Sequence, residues 1–313
     1  MDSSYLRQAE LVVRCIPAIA AEPCFAIKGG TAINLFELNL PRLSVDIDLT
    51  FLPVTDRATA IAEINAAIQR IKKRLEARGF AVRTHGMDVS RKIACFSNGA
   101  EIKIEPNFIL RGAVYPVRML ELSPKMSEIV GVSAEMQVLS FQELYGGKVC
   151  AALDRQHPRD LFDMAQFYKA HSLDEVKEGF IVLALGHNRP LHELLAPILQ
   201  DQSVTFDQQF AGMAEEPFSY DEHQATLARL TRDVFALFDA ADRQRLLDFV
   251  SLSDGPGAFG IPNFDDLPAI RWKRRNLESL RKSNPVKFSL QRNALERLFA
   301  KGGGRGGPID TVA

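Results

Sequence analysis

Val45-Asp46-Ile47-Asp48-Leu49 decides the fold: two acids alternate with three apolar residues, the period of a half-buried strand. Residues two apart in an extended chain share a face, so Asp46 and Asp48 point one way while Val45, Ile47 and Leu49 point the other. Neighbouring carboxylates repel each other. A hard divalent ion with oxygen ligands relieves that repulsion, and Mg2+ fits both the residue type and the spacing. The strand therefore predicts phosphoryl chemistry.

Upstream, Phe25-Ala26-Ile27 reads as a short apolar strand, Lys28-Gly29-Gly30-Thr31 as a tight turn, and Ala32 to Phe36 as the start of a helix. Glycines let the backbone approach a phosphate, and the free N–H groups of a helix start favour an anion. Thr31 can cap the helix or donate to a phosphate oxygen. A triphosphate held by this turn would present its oxygens to a metal at Asp46 and Asp48. The alternative is an ordinary strand-to-helix turn followed by an unrelated strand with two solvated acids.

Downstream, Ile61, Ile64, Ile68, Ile71 and Leu75 recur at helical spacing between Thr55 and Arg78, with Gly79 as the stop. Strand-like runs follow at Phe80 to His85, Arg91 to Phe96 and Glu101 to Glu105, the last two joined by Asn98-Gly99, a two-residue hairpin signal. Glu101, Lys103 and Glu105 share one strand face, which makes Glu105 a candidate third acid. From residue 136 helical signals take over. Ser140-Phe141-Gln142-Glu143 forms a capping box opening a helix to about Arg155, and Pro158 starts a second over Arg159 to Ala170. Lys148 and Arg155 lie on one face of the first helix, Asp160 and Asp163 on one face of the second. Asp160 can pair with Lys148 or Arg155. Leu183 to Leu199, Tyr220 to Val250 and Pro268 to Phe299 read as further helices, with a Gly- and Pro-rich loop from Ser253 to Pro262.

The chain has 313 residues, enough for two domains, and its composition is that of a folded globular protein. Cys15, Cys24, Cys95 and Cys150 are scattered without C-x-x-C spacing, which argues for a reducing compartment and against a zinc site or disulfide frame. His157 has no second histidine at a metal-ligand spacing and reads as a loop residue. No apolar run reaches about 18 residues and the N-terminus lacks a signal-peptide pattern, so a cytoplasmic protein without a membrane partner is expected. The net charge of -1 conceals segregation: residues 201–270 hold 13 acids against 4 Lys or Arg, and residues 271–305 hold 11 Lys or Arg against 2 acids. Either the basic segment meets a polyanion or it pairs with the acidic one. Trp272, within Arg271-Trp272-Lys273-Arg274-Arg275, suits RNA contact and helix packing equally.

Four ordered strings, Lys28-Gly29-Gly30-Thr31-Ala32, Arg42-Leu43-Ser44-Val45-Asp46-Ile47-Asp48-Leu49, Lys103-Ile104-Glu105, and Lys148-Val149-Cys150-Ala151-Ala152-Leu153 followed by Arg159-Asp160-Leu161-Phe162-Asp163, together resemble the AbiEii/AbiGii toxin family. These are nucleotidyltransferases of the DNA polymerase beta-like superfamily, related to the mycobacterial MenT toxins. Glu105 stands where the wider superfamily more often has Asp. The resemblance implies an α+β fold. Residues 1–135 would form a nucleotidyltransferase core with a small mixed or antiparallel sheet and flanking helices. Residues 136–301 would form a helical domain contributing Lys148 and an RNA-facing surface, and residues 302–313 a flexible tail.

It further implies transfer of a nucleoside monophosphate from an NTP to an RNA acceptor with release of pyrophosphate. The acceptor in relatives is the tRNA 3′ end, and the setting a toxin–antitoxin phage-defence module whose antitoxin often carries a winged-helix domain. The expected roles follow. Asp46, Asp48 and Glu105 hold Mg2+, Glu105 also helping to deprotonate the acceptor hydroxyl. Lys28, Gly29, Gly30 and Thr31 take the phosphates, and Arg42 and Ser44 touch the nucleotide or shape the loop. Lys148 neutralises triphosphate charge with Asp160 orienting it, and Lys273, Arg274 and Arg275 face the RNA. Two alternatives keep the fold: a small-molecule nucleotidyltransferase of the aminoglycoside-modifying kind, and a catalytically idle RNA- or antitoxin-binding protein.

Overall fold

The computed structural model describes residues 2–87 and 91–301; the expected tail, 302–313, lies outside the described residues. Seven strands form one mixed sheet in the order β3-β4-β5-β2-β1-β7-β6: β1 Phe25–Lys28, β2 Asp46–Phe51, β3 Ala81–His85, β4 Lys92–Ser97, β5 Ala100–Asn107, β6 Arg118–Glu121 and β7 Glu135–Val138. The pairs β2–β5 and β1–β7 are parallel and the others antiparallel. The sheet is mixed and flanked by helices, as expected; β6 and β7, only four residues each, are too short for alternation to register in the sequence. β7 also carries the sheet past residue 135, to Val138.

Alternation sorts the two faces. Ile47, Leu49 and Phe51 of β2 and Ile102 and Ile104 of β5 are buried, packing with helix α1 (Ser3–Ala20) and helix α3 (Arg57–Ala77) in the main core. Ile64, Ile68, Ile71 and Leu75 of α3 are fully buried, Asp56 caps its start, and Gly79 follows it at φ +86°. Asn98 and Gly99 both take positive φ between β4 and β5, as a tight two-residue hairpin requires. The other face of the sheet carries Asp46 and Asp48.

Between β1 and β2 lies α2, Gly29–Ala32, continuing through a π-helical turn to Glu37. After β6 comes α4, Pro124–Val130. Beyond β7 the chain is helical: α5 Phe141–Arg155, α6 Pro158–Phe167, α7 Lys177–Leu185, α8 Leu191–Leu195, α9 Ser203–Gln209, α10 Tyr220–Ala236, α11 Ala240–Ser251, α12 Pro268–Ser283 and α13 Pro285–Ala300. Ser140 caps α5 by accepting from Glu143 N, and the Glu143 carboxylate accepts from the Ser140 hydroxyl and from Val114 N and Tyr115 N, which ties α5 to the loop after β5. The helix expected over Leu183 to Leu199 is two shorter ones, since Gly186 ends α7 and Pro190 directly precedes α8.

α5 and α7 cross at unusually short range. A methyl group on Gly146 would lie 2.5 Å from the backbone of Gly179 and Phe180, and one on Gly179 would lie 2.1 Å from Gln142 O. Only glycine permits that approach. None of the described helices is long and apolar enough to cross a membrane.

Candidate active site

Register sets the acids. β2 runs parallel to β5 with Asp46 beside Lys103 and Asp48 beside Glu105, so the three acids share a face. β1 lies on the other side of β2, placing Lys28 opposite Asp48 and delivering the glycine turn to the same end. Gly29 has φ +71°, and a Cβ there would lie 2.7 Å from Asp48 Oδ2. The position needs glycine for both reasons. Lys28, at the start of α2, makes no side-chain capping bond, and an uncapped helix start favours an anion.

These groups open into a cleft of about 470 Å3 between the sheet and the helices α5, α7 and α12. Lys28, Gly29, Gly30, Arg42, Ser44, Asp46, Asp48, Glu105, Lys148 and Asp160 all line it. Thr31 does not. Its side chain is 1 % exposed, and its hydroxyl donates to the carbonyl of Asp46 and lies 2.9 Å from Ser44 Oγ. The expectation of a Thr31–phosphate bond is corrected: the hydroxyl fixes the start of the metal-site strand instead.

Lys148 is also more deeply engaged than a free cation. Its Nζ sits 2.8 Å from Asp160 Oδ1 and 2.8 Å from Asp163 Oδ2, and Arg155 pairs with Asp160 from the solvent side. Asp163 in turn accepts two bonds from the buried Arg42, at 2.7 and 2.6 Å, and one from Asn34 Nδ2 at 3.0 Å. Asn34 also donates to Gly30 O, and a Cβ on Gly30 would lie 2.7 Å from Arg42 Nη2. The network thus runs from the phosphate turn through Asn34, Arg42 and Asp163 to Lys148. Burial would push both aspartates up, but Lys148 and Arg155 hold Asp160, and Arg42 and Lys148 hold Asp163, below the usual carboxylate range. Both stay ionised, so Lys148 stays fixed at the cleft wall.

Burial pushes the Asp46 carboxyl up from its ordinary value, Arg159 and Lys103 oppose the rise, and Asp48 adds to it. Such a group gains from a nearby cation. Among the described residues, no three acids, histidines or cysteines stand close enough to hold an ion unaided. Lys92 draws the Glu105 carboxylate aside with a 2.9 Å bond. Asp46 and Asp48 alone still fit Mg2+, which needs one or two carboxylates and takes its other ligands from phosphates and water.

The basic triad expected to face RNA divides. Lys273 is buried, donating to His187 O and Arg189 O at 2.7 Å each, and burial lowers its pKa to about 8. Arg274 pairs with Asp254 and Asp265 and covers the Phe249 ring. Both serve the fold, and the RNA-facing expectation for these two is corrected; Arg275 is exposed. Arg271 likewise pairs with Asp266, so part of the charge segregation resolves inside the molecule. His157 caps α6 by accepting from Arg159 N.

Sequence reasoning left four cleft cations without a site role: Lys103, Arg111, Arg155 and Arg159. Lys103 was legible as a face-mate of Glu105. Arg111 sits in a loop without a motif, and Arg159 became legible only when α6 brought it beside Asp46.

A mixed sheet that sets a glycine turn over paired acids, closed by helices on the far wall, is the arrangement of nucleotidyltransferases, and that class is where the fold falls. The family model for the nucleotidyl transferase AbiEii toxin of type IV toxin–antitoxin systems matches residues 10–274, and the chain belongs to that family. Among solved structures it is similar to MenT4, a nucleotidyltransferase toxin from Mycobacterium tuberculosis H37Rv, with TM-score 0.56 and 15% identity over 87% of this chain and 93% of that one. A cytoplasmic RNA terminal U-transferase aligns over 93% of each chain at TM-score 0.25 and 11% identity, too slight a likeness to carry an argument. A search of the curated proteins found no match.

Proposed function

We propose that this protein transfers a nucleoside monophosphate from an NTP to the end of an RNA, with tRNA as the acceptor, and acts in the cytoplasm as the toxin of a phage-defence pair neutralised by a winged-helix antitoxin. The observation that carries it is the shared face of Asp46, Asp48 and Glu105 above the Gly29-Gly30 turn, in a cleft large enough for a nucleotide. Mg2+ bound at Asp46 and Asp48 would supply charge neutralisation for in-line displacement. The chain's residues do the rest. The turn amides and Lys28 hold the phosphates. Arg159, which has no ion pair among the described residues and lies near Asp46, takes charge that develops on the leaving pyrophosphate. Glu105, released from Lys92 when an acceptor enters, takes the proton of the attacking hydroxyl.

Purified protein incubated with each labelled NTP, Mg2+ and total RNA is expected to label an RNA band of tRNA size. Absence of label on any RNA, or label on an aminoglycoside supplied in place of the RNA, would sink the proposal.

α12 leaves the cleft at Leu267, Ala269 and Ile270 and carries exposed cations outward. Arg275→Glu with Lys282→Glu is expected to weaken tRNA binding and to reduce the salt slope by about 0.7 per lost single-strand contact. NTP binding should be spared. Filter binding at several salt concentrations checks this, and an unchanged slope would assign these cations to solvent.

A further inference from the structure

Past Arg159 the cleft opens toward the joint between α5 and α6. Arg155, His157 and Arg159 line it there, and Gln156 sits among them, fully buried and at φ +51°. Glycine or asparagine is the usual residue at that left-handed cap position. The glutamine is there for its side chain. Its Nε2 donates to Ile198 O at 2.7 Å and its Oε1 accepts from Gln200 N at 2.9 Å, so one buried amide clasps the loop between α8 and α9 on both sides of Leu199. Gln202 adds a bond from its Nε2 to Arg155 O, and Pro197 stiffens the entry to the loop.

What this clasp holds out is apolar. Ile198 is 86 % exposed and Leu199 71 %. A loop pinned so that two adjacent large aliphatic residues face water costs free energy and adds nothing to the core, which marks the pair as a contact surface. On its cleft side stand Arg155, whose side chain is 61 % exposed, and Arg159, which lies near Asp46. Cations beside exposed aliphatic side chains, at the mouth of a cleft that ends in paired acids, are complementary to a single strand of RNA: its phosphates meet the guanidinium groups and its base faces cover the apolar surface. A cleft of about 470 Å3 admits a nucleotide and excludes a duplex. The last nucleotides of an acceptor must therefore be unpaired to bring the terminal hydroxyl to the acids, and their bases are free to stack on protein.

We propose that Ile198 and Leu199 form a step on which the unpaired bases just before the acceptor's terminal nucleotide stack, with Arg155 holding the phosphate between the step and the cleft. This rests on the RNA-directed transfer proposed above. The test is equilibrium binding, without NTP or turnover, of two RNA hairpins that carry the same single-stranded 3′ overhang, one with every base and one abasic at the positions before the last. The two share all their phosphates. The native protein is expected to bind the intact overhang about tenfold tighter, on the order of the worth of burying one aliphatic side chain. Ile198→Ser with Leu199→Ser should bind both hairpins alike, at the affinity that the native protein shows for the abasic one. Its salt slope should match the native slope, since no phosphate contact is removed. Its melting and its binding of NTP with Mg2+ should also be unchanged, because neither residue belongs to the core or lines the cleft. Equal binding of the two hairpins by the native protein, or a preference that survives the double substitution, overturns the inference alone; the second result, together with lost capture of a co-expressed protein, would put a protein on the step instead. A native protein that binds neither hairpin and labels no RNA overturns the inference together with the proposed function.

Discussion

Replacing Asp46 or Asp48 with asparagine is expected to lower nucleotide transfer at least about 10²–10³-fold, the loss seen when a group aimed at transition-state charge is removed. Each substitution keeps the shape of the side chain and deletes the charge that would attract Mg2+. The fold should tolerate the change. Burial raises the Asp46 pKa, so the folded protein disfavours the charged carboxylate, and Asp46→Asn should melt no lower than the native protein. Initial rates with the preferred labelled NTP, alongside thermal melts, provide the check. Near-native rates in either variant would move the catalytic centre elsewhere.

Asp163→Asn should produce the largest stability loss of any single change at the site, about 3–5 kcal/mol. The carboxylate is fully buried between Arg42 and Lys148, and its removal leaves two buried cations short of a counter-charge. Because the folded pKa is depressed, this stabilisation is complete above the ordinary aspartate value of about 4 and is lost as pH falls through the lower folded value. Urea titrations should therefore show a wide gap between native and variant proteins at pH 7 that narrows below about pH 4. A gap that stays constant into acid would mean that Asp163 acts through packing and not through its charge. Transfer should fall too, as Lys148 loses one of the two carboxylates that fix it.

Local rules made much of the frame legible. Period-two alternation placed Asp46, Asp48 and Glu105, Asn98-Gly99 placed the hairpin, and Ser140 and Pro158 placed the starts of α5 and α6. Each is a short-range signal with its own stereochemistry. Pairings across long stretches of chain were not legible. Arg42 and Asp163 are 121 residues apart and Asn34 and Asp163 129 apart, and nothing at either end of a pair specifies the other. The pairing of Lys148 with Asp160 was legible from the sequence, but only the docking of α6 on α5 shows the lysine clasped by Asp163 as well. Lys273 and Arg274 misled for the same reason, since a basic run reads as solvated until its carbonyl and carboxylate partners are in place.

The glycine crossing of α5 and α7 makes a mechanical part of what looks like packing. With backbone against backbone at Gly146 and Gly179 there is no side-chain layer to shear, so the two helices are expected to act as one stiff beam along the wall of the cleft. Widening the cleft for a bulky acceptor then requires the beam to swing on its attachments to the sheet. Those attachments are the link from Val138 to Ser140 and the Glu143 bonds to Val114 and Tyr115. The beam carries Lys148, so each swing would also shift that lysine relative to Asp46 and Asp48, coupling entry of the acceptor to the setting of the charges that act on it.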